Sequence, residues 1–213
     1  MGLINGLVHV KLRIPSFMAT LGTGFAGSGI ATLILSGERV RITNATFREL
    51  ALGRVAGVPI GVWISLLALG LAWVIQQYTR LGRWTSAIGG GEDLAKISGV
   101  PVDRVRVLIF TRAGLFYALG GILSAAQLGR GHALMGQGRL FTAITAVVVG
   151  GTALWGGIGG VLQSFVGVLI VVTLANGTVL MGIPPYVQQG GRGLLIIAAV
   201  ALSMDRVRSR IGK

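Results

Sequence analysis

Few side chains in this 213-residue sequence could take part in covalent chemistry. There is no cysteine, the two histidines are His9 and His132, and the acids are Glu38, Glu49, Glu92, Asp93, Asp103 and Asp205. A hydrolytic site needs a nucleophile with a base, or a cluster of metal ligands. The two histidines lie far apart in the sequence, and the acids lie outside the apolar segments. We therefore expect no catalytic residue, no bound metal and no enzyme activity.

The sequence also contains no motif for binding ATP. The lysines Lys11, Lys96 and Lys213 never occur as the Gly-Lys-Ser/Thr of a Walker loop, so the glycine-rich GGGEDLAK run is not a nucleotide site. Proton relays in membranes use carboxylates within the spans, and none is predicted here, although sodium held by backbone carbonyls remains open. If ATP drives this protein, a partner subunit binds the ATP and its Mg²⁺, and this chain needs no cofactor.

The longest polar stretch runs from Thr79 to Arg106 and separates two apolar runs. It holds more bases than acids: Arg80, Arg83, Lys96, Arg104 and Arg106 against Glu92, Asp93 and Asp103. Short basic loops between membrane spans stay in the cytoplasm. We therefore predict that residues 79–106 form a cytoplasmic loop.

A short helix is predicted inside this loop. Glu92–Ile97 can form about one and a half turns, with acids at its start and an exit at Ser98-Gly99. Leu94 and Ile97 are three residues apart and share a face, which suits docking into a groove of a partner. A solvated turn between two membrane helices is the alternative, and physical reasoning alone leaves both open.

Composition places the chain in a membrane. Hydrophobic residues make up 53% of it and charged residues 12%, and the mean hydropathy is +0.79. The net charge of +13 comes from arginines in short loops at the ends of apolar runs. Attraction to anionic lipid explains that pattern, so we expect membrane lipid and no nucleic acid as a partner.

Six apolar segments predict an all-α, polytopic bundle of about six spans. They run approximately over residues 15–36, 58–78, 107–128, 140–155, 161–181 and 186–204. The fourth is short and interrupted by Gly150 and Gly151, which is typical of a broken or re-entrant helix. The small-residue pairs Gly22/Ala26, Gly27/Ala31 and Gly156/Gly160 have the spacing of close helix contacts.

Charge predicts the orientation. With residues 79–106 inside, the start of the chain and its basic C-terminus are also cytoplasmic, provided that the fourth segment crosses. The loop of residues 37–57, which carries four arginines, is then outside, against the usual tendency. The first residues do not resemble a signal peptide, and we expect the chain to be N-terminally incomplete.

Four stretches resemble the permease subunits of bacterial ribose- and galactose-type sugar importers, which belong to the ATP-binding-cassette class. Thr79, Gly82, Arg83, Ala87, Gly89, Gly90, Ser98 and Gly99 match that family's cytoplasmic coupling motif. The other matching stretches are VKLRIPSFMATLGT, ITAVVVGGTALWGGIGG and LANGTVLMGIPPYVQQGGRGLL. The chain departs from the family at Gly91, where an Asn is usual, at Leu140 and Thr142, where acids are usual, and at Arg192, where a Lys is usual.

The resemblance implies one permease domain over residues 1–213, without the family's first helices, in the bacterial inner membrane. Its implied partners are a cytoplasmic ATPase, a second permease copy and a periplasmic solute-binding protein, and its cargo is a sugar or polyol. The coupling residues would be Arg83, Gly89, Gly90, Glu92, Asp93, Leu94, Ile97, Ser98 and Gly99. Gly150, Gly151, Asn176, Gln188 and Arg192 are candidates for the translocation path.

Two other functions remain open at this point. A secondary carrier or channel would move its solute without an ATPase. A truncated permease without transport activity is the second alternative. The sequence does not distinguish these from an importer subunit, and it does not identify the solute.

Overall fold

The computed structural model describes residues 1–153, 156–184, 186–188, 190–191 and 193–194. The chain forms two compact units, each built from two stretches. The first contains Met1–Val74 and Lys96–Gly136, and the second contains Ile75–Ala95 and Gln137–Lys213. The expectation of a single domain stays a prediction.

The first unit consists of helices with two small strand pairs. Its helices are α1 (Gly2–Leu12), α2 (Ser16–Ile34), α3 (Ala45–Leu52), most of α4 (Ile60–Tyr78) and α7 (Val102–Leu128). Its strands are β1 (Val40–Arg41), β2 (Arg54–Val55), β3 (Val58–Pro59) and β4 (Arg130–Gly131). β1 pairs with β4 and β2 with β3, both antiparallel. These two-residue strands were not predicted, and they lie in the connections between helices.

Close packing of α1 against α7 organises this unit. A Cβ built on Gly2 would lie 2.8 Å from the Cα of Gly114, and one built on Gly6 would lie 2.9 Å from the Cα of Val107. The two backbones therefore touch where side chains are absent. The His9 and Phe110 rings add an edge-on contact, with their centroids 5.7 Å apart.

The second unit contains the end of α4, α5 (Arg80–Gly90), the start of α6 (Glu92–Ile97), α8 (Arg139–Val149) and α9 (Val161–Leu180). α8 and α9 pack antiparallel. A Cβ on Gly167 of α9 would meet the carbonyl oxygen of Ala146 and lie 2.8 Å from the Cα of Gly150. Val148 of α8 and Val171 of α9 are also buried.

The glycines that pack against neighbouring backbone differ from those that the sequence spacing predicted. Gly22 faces open space, and Gly27 meets only the Met1 side chain, so the small-residue pairs of α2 make no helix contact in the described part of the chain. Gly156 and Gly160 lie in the loop before α9, outside any helix. Spacing alone could not identify the glycines used because it does not show which helices become neighbours.

Four of the predicted spans are helices long and apolar enough to cross a membrane: α2, α4, α7 and α9. The fourth predicted segment is α8, which has 11 residues. At 1.5 Å per residue it extends about 16 Å, roughly half of a bilayer core, as predicted for a broken or re-entrant helix. Most of the sixth segment lies outside the described residues. The all-α membrane class is confirmed.

Replacement of Gly167 by alanine should destabilise the chain by about 1–3 kcal/mol, because the added methyl would force α8 away from α9. Gly177 of the same helix has no atom within 4 Å of its Cβ position. There alanine should be neutral or stabilising by up to about 1 kcal/mol, since it is the better helix former. Thermal unfolding of both variants in detergent measures the difference, and equal midpoints would contradict the packing described.

Candidate functional site

The polar segment begins with a sharp turn between two helices. Thr79 precedes α5, and its hydroxyl accepts a hydrogen bond from the Gly82 amide at 3.3 Å while donating to the Ile75 carbonyl at 2.6 Å. Gly82 is buried against the carbonyl of Gln76, where no Cβ fits. The Thr-x-x-Gly spacing therefore caps α5 and lets it fold back closely on the end of α4.

Helix α5, which the sequence did not predict, is amphipathic. Leu81, Trp84 and Ile88 are half-buried at positions i, i+3 and i+7, whereas Arg80 and Arg83 are exposed. This spacing places the three apolar residues on one face. Arg83 thus lies on the polar side of a helix, and Gly89 and Gly90 form its last turn.

The last turn of α5 contacts the glycine-rich loop that precedes α9. A Cβ on Gly89 would lie 2.5 Å from the Gly157 nitrogen, and one on Gly156 would lie 2.9 Å from the Gly89 Cα. Gly156 and Gly157 have φ values of 92° and 76°, which glycine adopts without strain. Two backbones therefore meet with no side chain between them.

A second link joins the same loop to α4. The side-chain oxygen of Gln76 accepts a hydrogen bond from the Val161 amide at 2.7 Å, and its nitrogen donates to the Gly159 carbonyl at 3.4 Å. Val161 is the first residue of α9, where amides lack partners within the helix. Gln76 thus caps α9, a role that the sequence analysis missed because residues 85 positions apart had to be brought together.

The described parts of the loop before α9, residues 150–153 and 156–160, are also held by polar groups of the loop itself and of α9. The Thr152 hydroxyl accepts from the Gly160 amide at 3.3 Å and shares a hydrogen bond with the Ser164 hydroxyl at 3.1 Å. The Ala153 amide donates to the Ile158 carbonyl at 3.0 Å. Irregular backbone at membrane depth requires such internal partners.

The predicted short helix is present as α6, Glu92–Ile97, with Glu92 and Asp93 in its first turn. Leu94 is 71% exposed and Ile97 is 84% exposed, while Ala95 between them is buried. The helix therefore anchors one small residue and presents an apolar pair outward. Exposed apolar side chains on an ordered helix are typical of a protein contact.

The exit from α6 follows the sequence prediction. Ser98 is exposed, and Gly99 has a φ of 79° and donates its amide to the Lys96 carbonyl at 3.0 Å. α7 then begins after Pro101, with Asp103 in its first turn. The segment thus consists of two helices, α5 and α6, between two membrane-length helices.

Among the candidate path residues that the structure describes, Gly150 and Asn176 lie at different levels of the pair α8 and α9, and their role in the path stays a prediction. Gly150 ends α8, and its Cβ position is filled by the Gln163 backbone of α9, whereas Gly151 faces open space. Asn176 is exposed, 13 residues beyond Gln163 and therefore about 20 Å farther along α9. Gln188 donates to the Ile183 carbonyl at 2.7 Å. Arg192 lies outside the described residues.

Comparison with known proteins gives one family. Residues 1–200 match the family described as "Branched-chain amino acid transport system / permease component". No solved structure matches the chain.

Several curated relatives are permeases named for sugars. The L-arabinose transport system permease protein AraH of Escherichia coli K12 is 37% identical over 207 residues, which are 97% of this chain and 62% of AraH. The ribose import permease protein RbsC of Bacillus subtilis 168 is 38% identical over 207 residues, 96% of this chain and 64% of RbsC.

The probable ABC transporter permease protein YphD of Escherichia coli K12 is 41% identical over 188 residues, 88% of this chain and 57% of YphD. The chain thus spans about three-fifths of the length of these relatives. The resemblance to ribose- and galactose-type permeases is confirmed. The chain therefore belongs to the membrane-permease family that supplies the transmembrane component of ATP-binding-cassette importers.

Proposed function

We propose that this chain is the permease subunit of an importer that moves a sugar or related polyol across the bacterial inner membrane. The names of the arabinose and ribose relatives support the class of solute. The main support for the mechanism is the glycine contact between α5 and the loop before α9. Because α6 directly follows α5, this contact connects the exposed helix α6 with the loop that separates α8 from α9.

In this proposal α6 docks in a groove of a cytoplasmic ATPase through Leu94 and Ile97. ATP and Mg²⁺ bind to that subunit, and its closure moves α6. Burial of two such side chains contributes about 1.5–3 kcal/mol each. Docking of the ATPase can switch the permease only if the ATPase binds one of the two conformations of the permease more tightly than the other.

The movement passes to the membrane through α5. Its last turn, at Gly89, bears on Gly156 and Gly157, and Gln76 holds the start of α9. α9 in turn carries α8 through the contact at Gly167. A push on α6 is thereby transmitted to two packed helices, since neither backbone contact contains a compressible side chain.

The remaining parts of the proposal follow the family. A second permease copy completes the pathway, a periplasmic solute-binding protein delivers the solute, and residues 79–106 and the C-terminus face the cytoplasm. A carrier without an ATPase would give no role to the exposed apolar pair on α6.

Cross-linking tests the partner and the orientation together, since the chain contains no native cysteine. Asp93→Cys should react with a thiol reagent from the cytoplasmic side and cross-link to an ATPase subunit, identified by mass. Glu38→Cys, in the exposed loop after α2, should react from the opposite side and yield no ATPase adduct. Labelling of Asp93→Cys from outside would overturn the orientation.

A charge on the α6 face should prevent docking. Leu94→Glu and Ile97→Glu should each weaken binding of the ATPase by roughly tenfold or more, because an apolar contact is lost and a carboxylate is buried. Thr85→Glu places the same charge on the exposed side of α5 and should leave binding unchanged. Co-purification at graded detergent and salt compares them, and retention of the ATPase by all three variants would reject α6 as the docking helix.

The glycine contact has a matched control in the next residue. Gly89→Ala should separate α5 from the loop, whereas Gly90→Ala should not, because no atom lies within 4 Å of the Gly90 Cβ position. With Ile158→Cys as a reporter in the loop, ATP should change the thiol labelling rate in the Gly90→Ala complex. In the Gly89→Ala complex the change should fall about tenfold or vanish while the ATPase stays bound. Equal responses of the two variants would show that the contact transmits nothing.

A further inference from the structure

A pocket lined by four arginines lies in the first unit. Its cavity is about 350 Å³, and it is lined by Arg39, Arg41, Arg48 and Arg130 together with the chain around Gly129. No acidic side chain from the described part of the molecule lines it. We refer to it as the arginine pocket.

Three elements bring these residues together although they come from distant parts of the sequence. The pairing of β1 with β4 places Arg41 opposite Arg130. The Ile42 amide extends the pairing by donating to the Gly129 carbonyl at 3.0 Å. α3 then brings Arg48 over the turn, with its Nε 3.2 Å from the Cβ position of Gly129.

The turn itself requires glycine on two grounds. Gly129 has a φ of 63°, a conformation that other residues rarely adopt, and a Cβ there would crowd the Arg48 guanidinium. α3 is fixed by Asn44, whose side chain accepts the Phe47 amide at 3.2 Å. The arginines are therefore held by a built scaffold of two strands and a capped helix.

The electrostatics of the pocket favour an anion. Four positive charges around one cavity repel one another, and a bound anion relieves that repulsion. The planar guanidinium fork suits the oxygens of a phosphate group, to which it donates two parallel hydrogen bonds. The lining chemistry is thus that of an oxyanion site.

The position of the arginine pocket identifies the carrier of that anion. It lies at the carboxyl end of α7 and includes Arg39, five residues after the end of α2, and both helices are long enough to span a bilayer, whose headgroups lie at the ends of such helices. The last turns of α2 expose Leu33 (81%) and Ile34 (77%) to the surroundings. Exposed apolar residues a few positions before a cationic pocket suit an amphiphile with a phosphate head.

The location also accounts for three of the four arginines of residues 37–57 that contradict the positive-inside tendency, since Arg39, Arg41 and Arg48 line the pocket. α7 is long enough to cross the membrane once; α6 precedes its start in the chain, and the arginine pocket lies at its end. In the orientation of the proposed function the pocket faces outside, where arginines are otherwise disfavoured. A bound phosphate would offset that cost.

We propose that the arginine pocket binds the phosphate group of an anionic phospholipid at the outer face of the bacterial inner membrane. This goes beyond the transport function and relies on it only for the side of the membrane. The pocket holds the headgroup while the acyl chains lie along the end of α2.

The test uses the purified chain with two probes, nanodiscs of phosphatidylglycerol or phosphatidylcholine and inorganic phosphate without lipid. Arg41→Gln/Arg130→Gln removes the two facing charges, and Arg39→Gln/Arg48→Gln is a second variant that leaves the strand pair intact. Arg54→Gln is the matched control, because Arg54 is exposed in the same loop but does not line the pocket. Bound phosphatidylglycerol after detergent washing is counted by native mass spectrometry.

Each double variant should bind phosphatidylglycerol about tenfold or more weakly than the Arg54→Gln control, the loss expected from one charge-assisted hydrogen bond. The unfolding midpoint should rise with phosphatidylglycerol and not with phosphatidylcholine. A pocket-dependent response to inorganic phosphate but not to lipid would identify free phosphate as the source. Equal lipid and phosphate binding by the variants and the control would overturn the proposal.

Discussion

The structure of the second unit depends on one constraint: backbone must meet backbone where the glycine-rich loop joins the helices around it. In the loop before α9, the described residues 150–153 and 156–160 are irregular, and they lie between an 11-residue helix and a membrane-length helix. In a membrane such backbone has few water partners, so its polar groups need protein partners. Gln76 and Thr152 provide them, and Gly89 allows the close approach.

The same constraint explains how a displacement of α5 is passed to α9. Side chains at a contact can change rotamer and absorb a small movement, whereas two touching backbones cannot. The path from α6 to α5, then to the loop, and then to α9 contains such a contact at its centre. Gln76 holds the junction between the loop and α9, because its side chain bonds both the Gly159 carbonyl and the Val161 amide.

The two ends of the membrane-length helices present different chemistry. At the start of α7 the chain offers an apolar pair on a short helix, which is suited to a protein groove. At the end of α7 it offers a cationic pocket. Lipid supplies little drive for association between helices, so contacts with partners depend on such specific surfaces. The helices between them are held by close glycine contacts, as in the pair α1 and α7.

Local sequence determined the class of protein, its membrane-length helices and two of the shorter ones, α6 and α8. Apolar length predicts α2, α4, α7 and α9, and the acids, the apolar pair and Gly99 predict α6, because these signals act within one or two turns of chain. Only the tertiary structure decided which glycines pack, that Gln76 caps α9, and that four arginines share one pocket. Those features join residues up to 91 positions apart, such as Arg39 and Arg130. A local pattern carries no information about such neighbours, since they depend on how the helices pair.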